Sequence, residues 1–473
     1  MSEKIVSQEL LIKISLVIIL FMGTFLVFKM LQKPKIYNST LSKISHNYSR
    51  DVVNKNIVWK VKEPYYYRDT HNTCRWDGSI YNEIRENYYN NGDHKYAFFP
   101  LFPLLWKISH ISVLYIGLIN YLLFGISVII FSMFFLDTAR TGILERICVF
   151  TAAIVLPQVV VYYLPYAEAL FTFTFALAIY GLIKNKYWLF FIAILLFAMT
   201  RPTFLIIGLS FVIIDVVYLI KHRNIGHFIK ELSLKLLPLL LGTCIVFIMY
   251  YFNSGSLTKY FESVNQFWSM SFRIPDRIAD WSIEGFGMNV FTIFFIVITS
   301  LILFLNNFLK IIRSDKTEGQ PSIFKGDTNF IKEYFFNNAI IYFWGVFIFV
   351  VFYQDCTLNG LSRYIIASPY FFIFLFYFYA NLKEIKLNKL IIGSVVLTAA
   401  GLFMLTSQFK LEPKLNFSDS GFFLLLFTFL YLSSLRYMNT VFKIACLLIL
   451  VLLNVIWITY LYNIYLCNAC IFT

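Results

Sequence analysis

Apolar stretches long enough to cross a lipid bilayer follow one another through almost the whole chain, and they constrain the fold more than any other feature. Because 59% of the residues are hydrophobic and only 14% are charged, one soluble core could not bury this much apolar surface. We predict an all-α polytopic membrane protein of about 11–13 transmembrane helices, with residues 1–473 forming one domain. The predicted stretches are residues 10–31, 111–136, 147–164, 166–183, 187–200, 203–220, 236–252, 289–310, 336–353, 364–380, 390–406, 421–433 and 443–466.

Basic residues fall mainly between these stretches, and they favour alternate connections. The formal net charge of +14 would suit a nucleic-acid-binding protein if the charge formed one patch. Instead, Lys and Arg concentrate in connections such as the one with Lys221, Arg223 and Lys235, whereas the short connections on the other side contain few. This alternation follows the positive-inside rule. It predicts a cytoplasmic N-terminus, outer loops at residues 32–110 and 253–288, and no nucleic-acid partner.

The first outer loop contains a polar, tyrosine-rich segment in a chain that is otherwise apolar. Read as a helix, residues 76–88 are amphipathic, and Asp77 lies on the apolar face. The residues that share this face are Ile80, Tyr81, Ile84 and Tyr88. One interpretation is an ordinary acid in the first turn of a helix. The other is a helix on the outer membrane surface that holds Asp77 in a partly dry pocket, where a carboxylate is a better base for a hydroxyl group.

Two prolines follow in the segment AFFPLFPLLW, residues 97–106. We expect Pro100 and Pro103 to prevent a regular helix there, because proline lacks the backbone N–H that a helix interior requires. Aromatic side chains favour the membrane interface. The segment is therefore predicted to be an irregular interfacial elbow.

Three further charged residues lie at the outer ends of predicted helices. They are Glu168 in YLPYAE, Arg201 in TRPTF and Arg363 in SRYIIASP. Each alone is commonly a helix-end charge that reaches the membrane surface. Because four separate segments place charges on one side of the membrane, we predict that these residues and Asp77 form one polar site.

The sequence contains only weak indications of cofactor or metal binding. The chain has no glycine motif typical of nucleotide binding, and its seven cysteines are scattered except for a pair at 467 and 470. Glu83, Glu86, Asp93 and His94 could supply metal ligands if their loop folded suitably. We expect no cofactor and no obligatory divalent metal.

Several segments resemble the landmarks of the membrane glycosyltransferases of the C superfamily (GT-C). The most specific is the combination of CRWDGSIYNEI with AFFPLFP, and the segments YLPYAEALF, TRPTF and SRYIIASPYF follow in the same order over roughly residues 70–370. Among these enzymes, the chain is most similar to the family of the glycosylphosphatidylinositol second-mannose transferase, PIG-V. It departs from that family's pattern at Gly78, where alanine is familiar, and at Pro202, where relatives tend to have a polar or small residue.

The resemblance implies a GT-C-like bundle and a sugar transferase, with mannose the suggested sugar, that uses a polyprenyl-phosphate-linked donor on the extracytoplasmic face. It makes Asp77 the catalytic residue and gives Arg75 and Trp76 a part in positioning it. Asp77 would take the proton of an acceptor hydroxyl as that oxygen attacks the sugar with inversion. Arg201 and Arg363 would stabilise the departing lipid phosphate, and Glu168 would orient an arginine or bind sugar hydroxyls. The expected partners are the donor lipid, a glycan or glycolipid acceptor, and membrane lipids.

Other functions remain open at this level. A transporter or lipid flippase would show ionisable residues deep within its spans, broken helices and two related halves. The predicted spans are overwhelmingly apolar, and no similarity between halves is visible. An envelope polysaccharide polymerase or ligase would also use outer-face arginines. The residue usage, rich in Phe, Ile, Lys, Asn and Tyr, suggests an AT-rich genome, and we favour a bacterial cell membrane over the endoplasmic reticulum. Nothing in the sequence indicates an oligomeric state.

Overall fold

A computed structural model describes residues 12–25, 73–90, 92–136, 142–274, 277–279, 289, 292–313, 322–354, 358–381, 410–412 and 439–466. Its α-helices are α1 (Ile12–Phe25), α2 (Asp77–Asn87), α3 (Leu101–Ser109), α4 (Val113–Phe135), α5 (Ile143–Ile154), α6 (Glu168–Ile183), α7 (Tyr187–Ala198), α8 (Phe204–His222), α9 (Ile225–Ser254), α10 (Lys259–Trp268), α11 (Thr299–Arg313), α12 (Thr328–Tyr353), α13 (Leu361–Ile366), α14 (Pro369–Asn381) and α15 (Thr440–Leu466). Helical turns of other types are Asp93–Ala97, Pro157–Tyr163, Thr292–Ile298 and Ile323–Lys325. Two three-residue strands, β1 (Arg277–Ala279) and β2 (Lys410–Glu412), pair in parallel.

The prediction of an all-α polytopic membrane protein is confirmed, since the short strand pair is the only non-helical regular element in the described ranges. Within those ranges, the helices α4, α8, α9 and α12 are long and apolar enough to cross a membrane. In the same ranges, α5 and the turn Pro157–Tyr163 pass this test together, with a bend of 65° between them, and give a fifth span if the bent pair is counted as one. Five shorter apolar helices accompany them. The predicted stretches 390–406 and 421–433 lie outside the described residues, so the total of 11–13 spans stays a prediction.

The apolar helices pack side by side through buried aliphatic and aromatic residues. Helix α6 contacts both α4 and α7, α7 contacts α9, α9 contacts α8, and α8 contacts α12. A helix that is apolar on every face is expected where one side contacts other helices and the other side contacts lipid. The last described helix, α15, packs against α5 and the turn Pro157–Tyr163.

One predicted boundary is wrong. The sequence places Lys235 in an inner connection, but α9 begins at Ile225, where the side chain of Asn224 caps it by accepting a hydrogen bond from the His227 amide (3.1 Å). Lys235 therefore lies inside the helix and is buried. The helix can continue through this charged stretch because Lys235 forms an ion pair with Asp215 of α8 (2.6 Å).

The predicted proline elbow is also wrong in part. Helix α3 begins at Leu101, with Pro100 as its N-cap and Pro103 in its first turn. The first amides of a helix have no partner within the helix, so proline costs nothing there. The irregular part is limited to the residues just before the helix, where the Leu101 amide donates to the Met199 carbonyl (3.3 Å). This bond ties the segment before α3 to the connection between α7 and α8.

Candidate active site

Four charged side chains from four separate segments meet in one cluster, and they are the four that the sequence analysis placed together. Asp77 begins α2, Glu168 begins α6, Arg201 lies between α7 and α8, and Arg363 lies in the short helix α13. Arg363 Nη2 lies 2.6 Å from Asp77 Oδ2, and Arg363 Nε lies 2.6 Å from Glu168 Oε1. Arg201 Nη1 lies 2.9 Å from the same glutamate oxygen. The cluster therefore alternates in charge, which lets buried ionised groups compensate one another.

Glu168 is the centre of this cluster. Its side chain is only 1% exposed, and one carboxylate oxygen accepts a hydrogen bond from Arg363 and forms an ion pair with Arg201. Its position in the first turn of α6 favours an acid, because the helix dipole is positive at that end. Within the described ranges the other oxygen, Oε2, has no hydrogen-bond partner. Glu168 is thus placed to orient two guanidinium groups.

Arg363 is buried and Arg201 is largely buried, and both lie between carboxylates and aromatic rings. Arg363 lies over the ring of Tyr166 (4.6 Å), and Arg201 lies over the ring of Tyr364 (5.6 Å). Burial by itself lowers the pKa of each guanidinium, but the neighbouring carboxylates more than offset it, so the pKa of both arginines lies above the ordinary value. Both residues therefore carry a positive charge at any physiological pH.

Each arginine keeps a nitrogen that could bind a ligand. The contacts of Arg363 use Nε and Nη2, and the contact of Arg201 uses Nη1. Within the described part of the chain, Nη1 of Arg363 and Nη2 of Arg201 make no hydrogen bond. A phosphate oxygen matches such donors well.

Asp77 is the most accessible member, with a side chain that is 27% exposed. Its Oδ2 atom is held by Arg363, whereas Oδ1 has no hydrogen-bond partner among the described residues. Of the two interpretations from the sequence, the first is confirmed, and the location of this helix on the outer membrane surface stays a prediction. Asp77 is an acid in the first turn of α2, and it shares that helix with the buried residues Tyr81 and Ile84.

Arg75 and Trp76, the other two predicted site residues, lie immediately before α2. Trp76 is its N-cap and adopts a positive φ of 52°, which is unusual for a residue other than glycine. The backbone of Arg75 is hydrogen-bonded to the hydroxyl of Tyr465, near the end of α15. The structure therefore places both residues beside Asp77 without assigning a ligand to either.

Sequence reasoning missed the aromatic residues around the cluster. Tyr166 could have been found, because it belongs to the same YLPYAE segment as Glu168. Tyr364 is likewise the neighbour of Arg363 in the chain. Tyr465 had no signal, because it lies far away in the sequence, in an apolar helix with several other tyrosines.

A second buried polar cluster was also missed. Lys235 Nζ lies 2.6 Å from Asp215 Oδ2 and donates to the hydroxyl of Tyr334 (3.1 Å). Tyr334 donates in turn to Asp215 Oδ1 (3.0 Å), and Glu231 lies 4.0 Å from Lys235. A small cavity adjoins these residues. The statement that the spans are overwhelmingly apolar therefore does not hold for α8 and α9.

Metal binding has no support in the described ranges, where no group of three or more His, Cys, Asp or Glu residues could hold an ion. Of the four residues considered from the sequence, Glu83 and His94 lie 3.4 Å apart. Asp93 instead pairs with Lys259 (2.8 Å), and Glu86 pairs with Arg85 (2.8 Å). Independence from metal stays a prediction.

Fold and site together define a polytopic helical membrane protein with a buried, charge-alternating cluster at the ends of its helices. No family model matches the chain, and no curated protein matches its sequence. Among solved structures, the chain is similar to ArnT from Cupriavidus metallidurans, whose crystal structure was determined with undecaprenyl phosphate bound. The two share 11% sequence identity with a TM-score of 0.45, over 91% of this chain and 78% of that one. At this level of similarity, the function has to be inferred from the site.

Proposed function

We propose that this protein is an inverting glycosyltransferase of the GT-C type, which transfers a sugar from a polyprenyl-phosphate-linked donor on the extracytoplasmic face of a membrane. The observation that carries the proposal is the cluster in which Arg363 links Asp77 to Glu168 and Arg201 contacts the same glutamate. It combines one accessible carboxylate oxygen with two buried guanidinium groups that each keep a free nitrogen. A base for a hydroxyl and a receptor for a phosphate are the two groups that this reaction needs.

In the proposed reaction, Oδ1 of Asp77 accepts the proton of the acceptor hydroxyl. The hydroxyl oxygen forms a bond to the anomeric carbon from the face opposite the donor phosphate. The bond between that carbon and the phosphate oxygen breaks, and the polyprenyl phosphate leaves with one more negative charge. Arg201 and Arg363 receive that charge through guanidinium hydrogen bonds, which are strongest where water is excluded.

The arrangement of the arginines supports phosphate binding. Asp77 and Glu168 balance the formal charges of Arg201 and Arg363, so the four clustered side chains are neutral as a group. Phosphate binding would therefore depend on the two guanidinium groups presenting donors to the same oxygens, because both lie beside one glutamate oxygen. Glu168 contributes by holding both guanidinium groups in place before the substrate arrives, which lowers the cost of ordering them during the reaction.

The narrower features remain proposals. Mannose is the first sugar to test, because the RWD and FFPLFP segments resemble the PIG-V family. A glycan or glycolipid is the proposed acceptor, and a bacterial cell membrane is the proposed location. We also propose that the reaction needs no divalent metal, and an assay with chelator, compared with added Mn²⁺ or Mg²⁺, tests this directly.

The decisive experiment is transfer from radiolabelled polyprenyl-phosphate mannose by the purified protein, with Asp77→Asn as the test variant. Removing a general base commonly slows a reaction about 10²–10⁴-fold, so Asp77→Asn is expected to lose nearly all turnover while remaining folded. Asp93→Asn is the matched control, because Asp93 is an exposed acid of the same loop that pairs with Lys259. A variant at position 77 that retains half of the wild-type rate would contradict the proposed role.

A lipid flippase or transporter is the second candidate, and one observation favours it. The cluster of Asp215, Lys235 and Tyr334 is ionisable and buried between long apolar helices, as in many transporters. The same labelled lipid separates the two functions. A transferase makes a new glycoside that depends on Asp77, whereas a flippase only moves the lipid across the membrane and would depend on Asp215.

A further inference from the structure

The hydroxyl of Tyr465 is hydrogen-bonded to the backbone just before Asp77. It accepts a hydrogen bond from the Arg75 amide (3.0 Å), and its own proton can go to the carbonyl of Arg75 (3.0 Å) or of Thr73 (3.2 Å). Tyr465 lies in α15, 390 positions along the chain from Arg75, and is 0% exposed. One phenol group therefore joins the last described helix to the segment that carries the proposed base.

This segment needs such support because its backbone is strained. Trp76 has a φ of 52°, a conformation that L-amino acids other than glycine disfavour. Its side chain makes no capping hydrogen bond to α2. A strained residue persists only where its surroundings hold it, and the bonds from Tyr465 hold the residue immediately before it.

Tyr465 also packs against Tyr166, an aromatic residue beside the charged cluster. The two rings meet edge to face, with centroids 6.3 Å apart. Tyr166 supports the Arg363 guanidinium, which in turn holds Asp77. The tyrosine is therefore fixed against the same group of residues that it positions, although in the described part of the chain no hydrogen bond or ion pair joins it to the four charged side chains.

We infer that Tyr465 is a positioning residue, which sets the backbone of residues 73–76 and thereby the direction of the Asp77 carboxylate. The expected effect on catalysis rests on the proposed function, whereas the expected effect on the backbone of residues 73–76 does not. A small displacement of a reacting group can lower a rate about 10²-fold, even when the mutated residue does not touch the substrate. Donor binding should change little, because Arg201 and Arg363 remain in place.

The test compares Tyr465→Phe with Tyr187→Phe in the full-length protein. The control removes a tyrosine hydroxyl that donates to a backbone carbonyl, that of Leu234 (3.2 Å), between α7 and α9. Two readouts are needed. The first is the rate of amide hydrogen exchange in peptides that cover residues 73–79. The second is the kcat and the KM for polyprenyl-phosphate mannose, from transfer kinetics. Thermal unfolding shows whether both variants are folded.

For Tyr465→Phe we expect exchange in residues 73–79 to be about tenfold faster or more, kcat to fall about 10- to 100-fold, and KM to stay within about twofold. Tyr187→Phe should change none of these. Unchanged exchange in Tyr465→Phe would overturn the inference, as would a loss of activity that merely follows the loss of folded protein. Should Tyr465→Phe fail to fold, Tyr465→His takes its place, because histidine keeps a ring donor and acceptor. We then expect changes of exchange and kcat in the same direction but of smaller size. A wild-type protein without transferase activity would refute the proposed function, and the exchange result would still decide the role of Tyr465.

Discussion

Gly78, the second residue of α2, is the position at which the RWD segment departs from its familiar form, and Gly78→Ala tests the packing of the site. A Cβ atom added there would lie 2.7 Å from Pro165 Cγ, and 3.4 Å from both Tyr166 Cε1 and the Tyr465 hydroxyl. The proline ring is rigid, so it cannot rotate away as a long side chain could. Glycine is therefore required at position 78 by the space between α2 and the YLPYAE segment.

The size of the effect follows from two opposing terms. Overpacking a tightly packed site costs about 1–3 kcal/mol, whereas replacing glycine by alanine in a helix returns about 0.5–1 kcal/mol. We expect the free energy of unfolding of Gly78→Ala to fall by roughly 1–2 kcal/mol. Because the added methyl group pushes the first turn of α2 away from Pro165, Asp77 moves relative to Arg363, and turnover should fall about 10- to 100-fold.

The assay pairs thermal unfolding in detergent with transfer from polyprenyl-phosphate sugar. Gly208→Ala in α8 is the matched control, since a Cβ there meets only ordinary contacts at 3.6 and 3.7 Å. That variant should keep full activity and gain stability, by about 0.5–1 kcal/mol. The two glycine variants should thus shift the thermal transition in opposite directions. A Gly78→Ala protein as stable and as active as the wild type would show that this packing argument is wrong.

Two further predictions concern buried groups. Lys235→Met leaves Asp215 buried without its cation and should destabilise the protein by about 3–5 kcal/mol, whereas Lys235→Met combined with Asp215→Leu should recover most of that loss in thermal unfolding. A double variant no more stable than the single one would contradict this account. Burial raises the pKa of the Cys74 thiol to about 12, so the thiol stays protonated at pH 8 and the reactive thiolate is scarce. Maleimide should therefore modify Cys74 about 10³-fold more slowly in the folded protein than in denaturant, and rates within tenfold of each other would exclude a buried thiol.

The sequence predicted the features that depend on local pattern. Continuous apolar stretches predict helices because their backbone polar groups must be satisfied within the segment. The spacing of Tyr81 and Ile84 from Asp77 predicted which face of α2 is buried, and the structure has both residues buried. Predictions from local sequence patterns failed where neighbouring residues in the chain did not determine the structure. Pro103 fits the first turn of α3, which the spacing of two prolines did not show.

The amino-acid sequence by itself determined that the chain is helical and apolar, and it marked Asp77, Glu168, Arg201 and Arg363 as charges at helix ends. Only the tertiary structure decided that one glutamate oxygen serves both arginines, and that Arg363 links Glu168 to Asp77. The reason is that hydrogen bonds act over about 3 Å, whereas these groups come from segments up to 286 positions apart. The periodicity of one helix predicts which face is buried, but which side chain lies opposite depends on how all the helices pack.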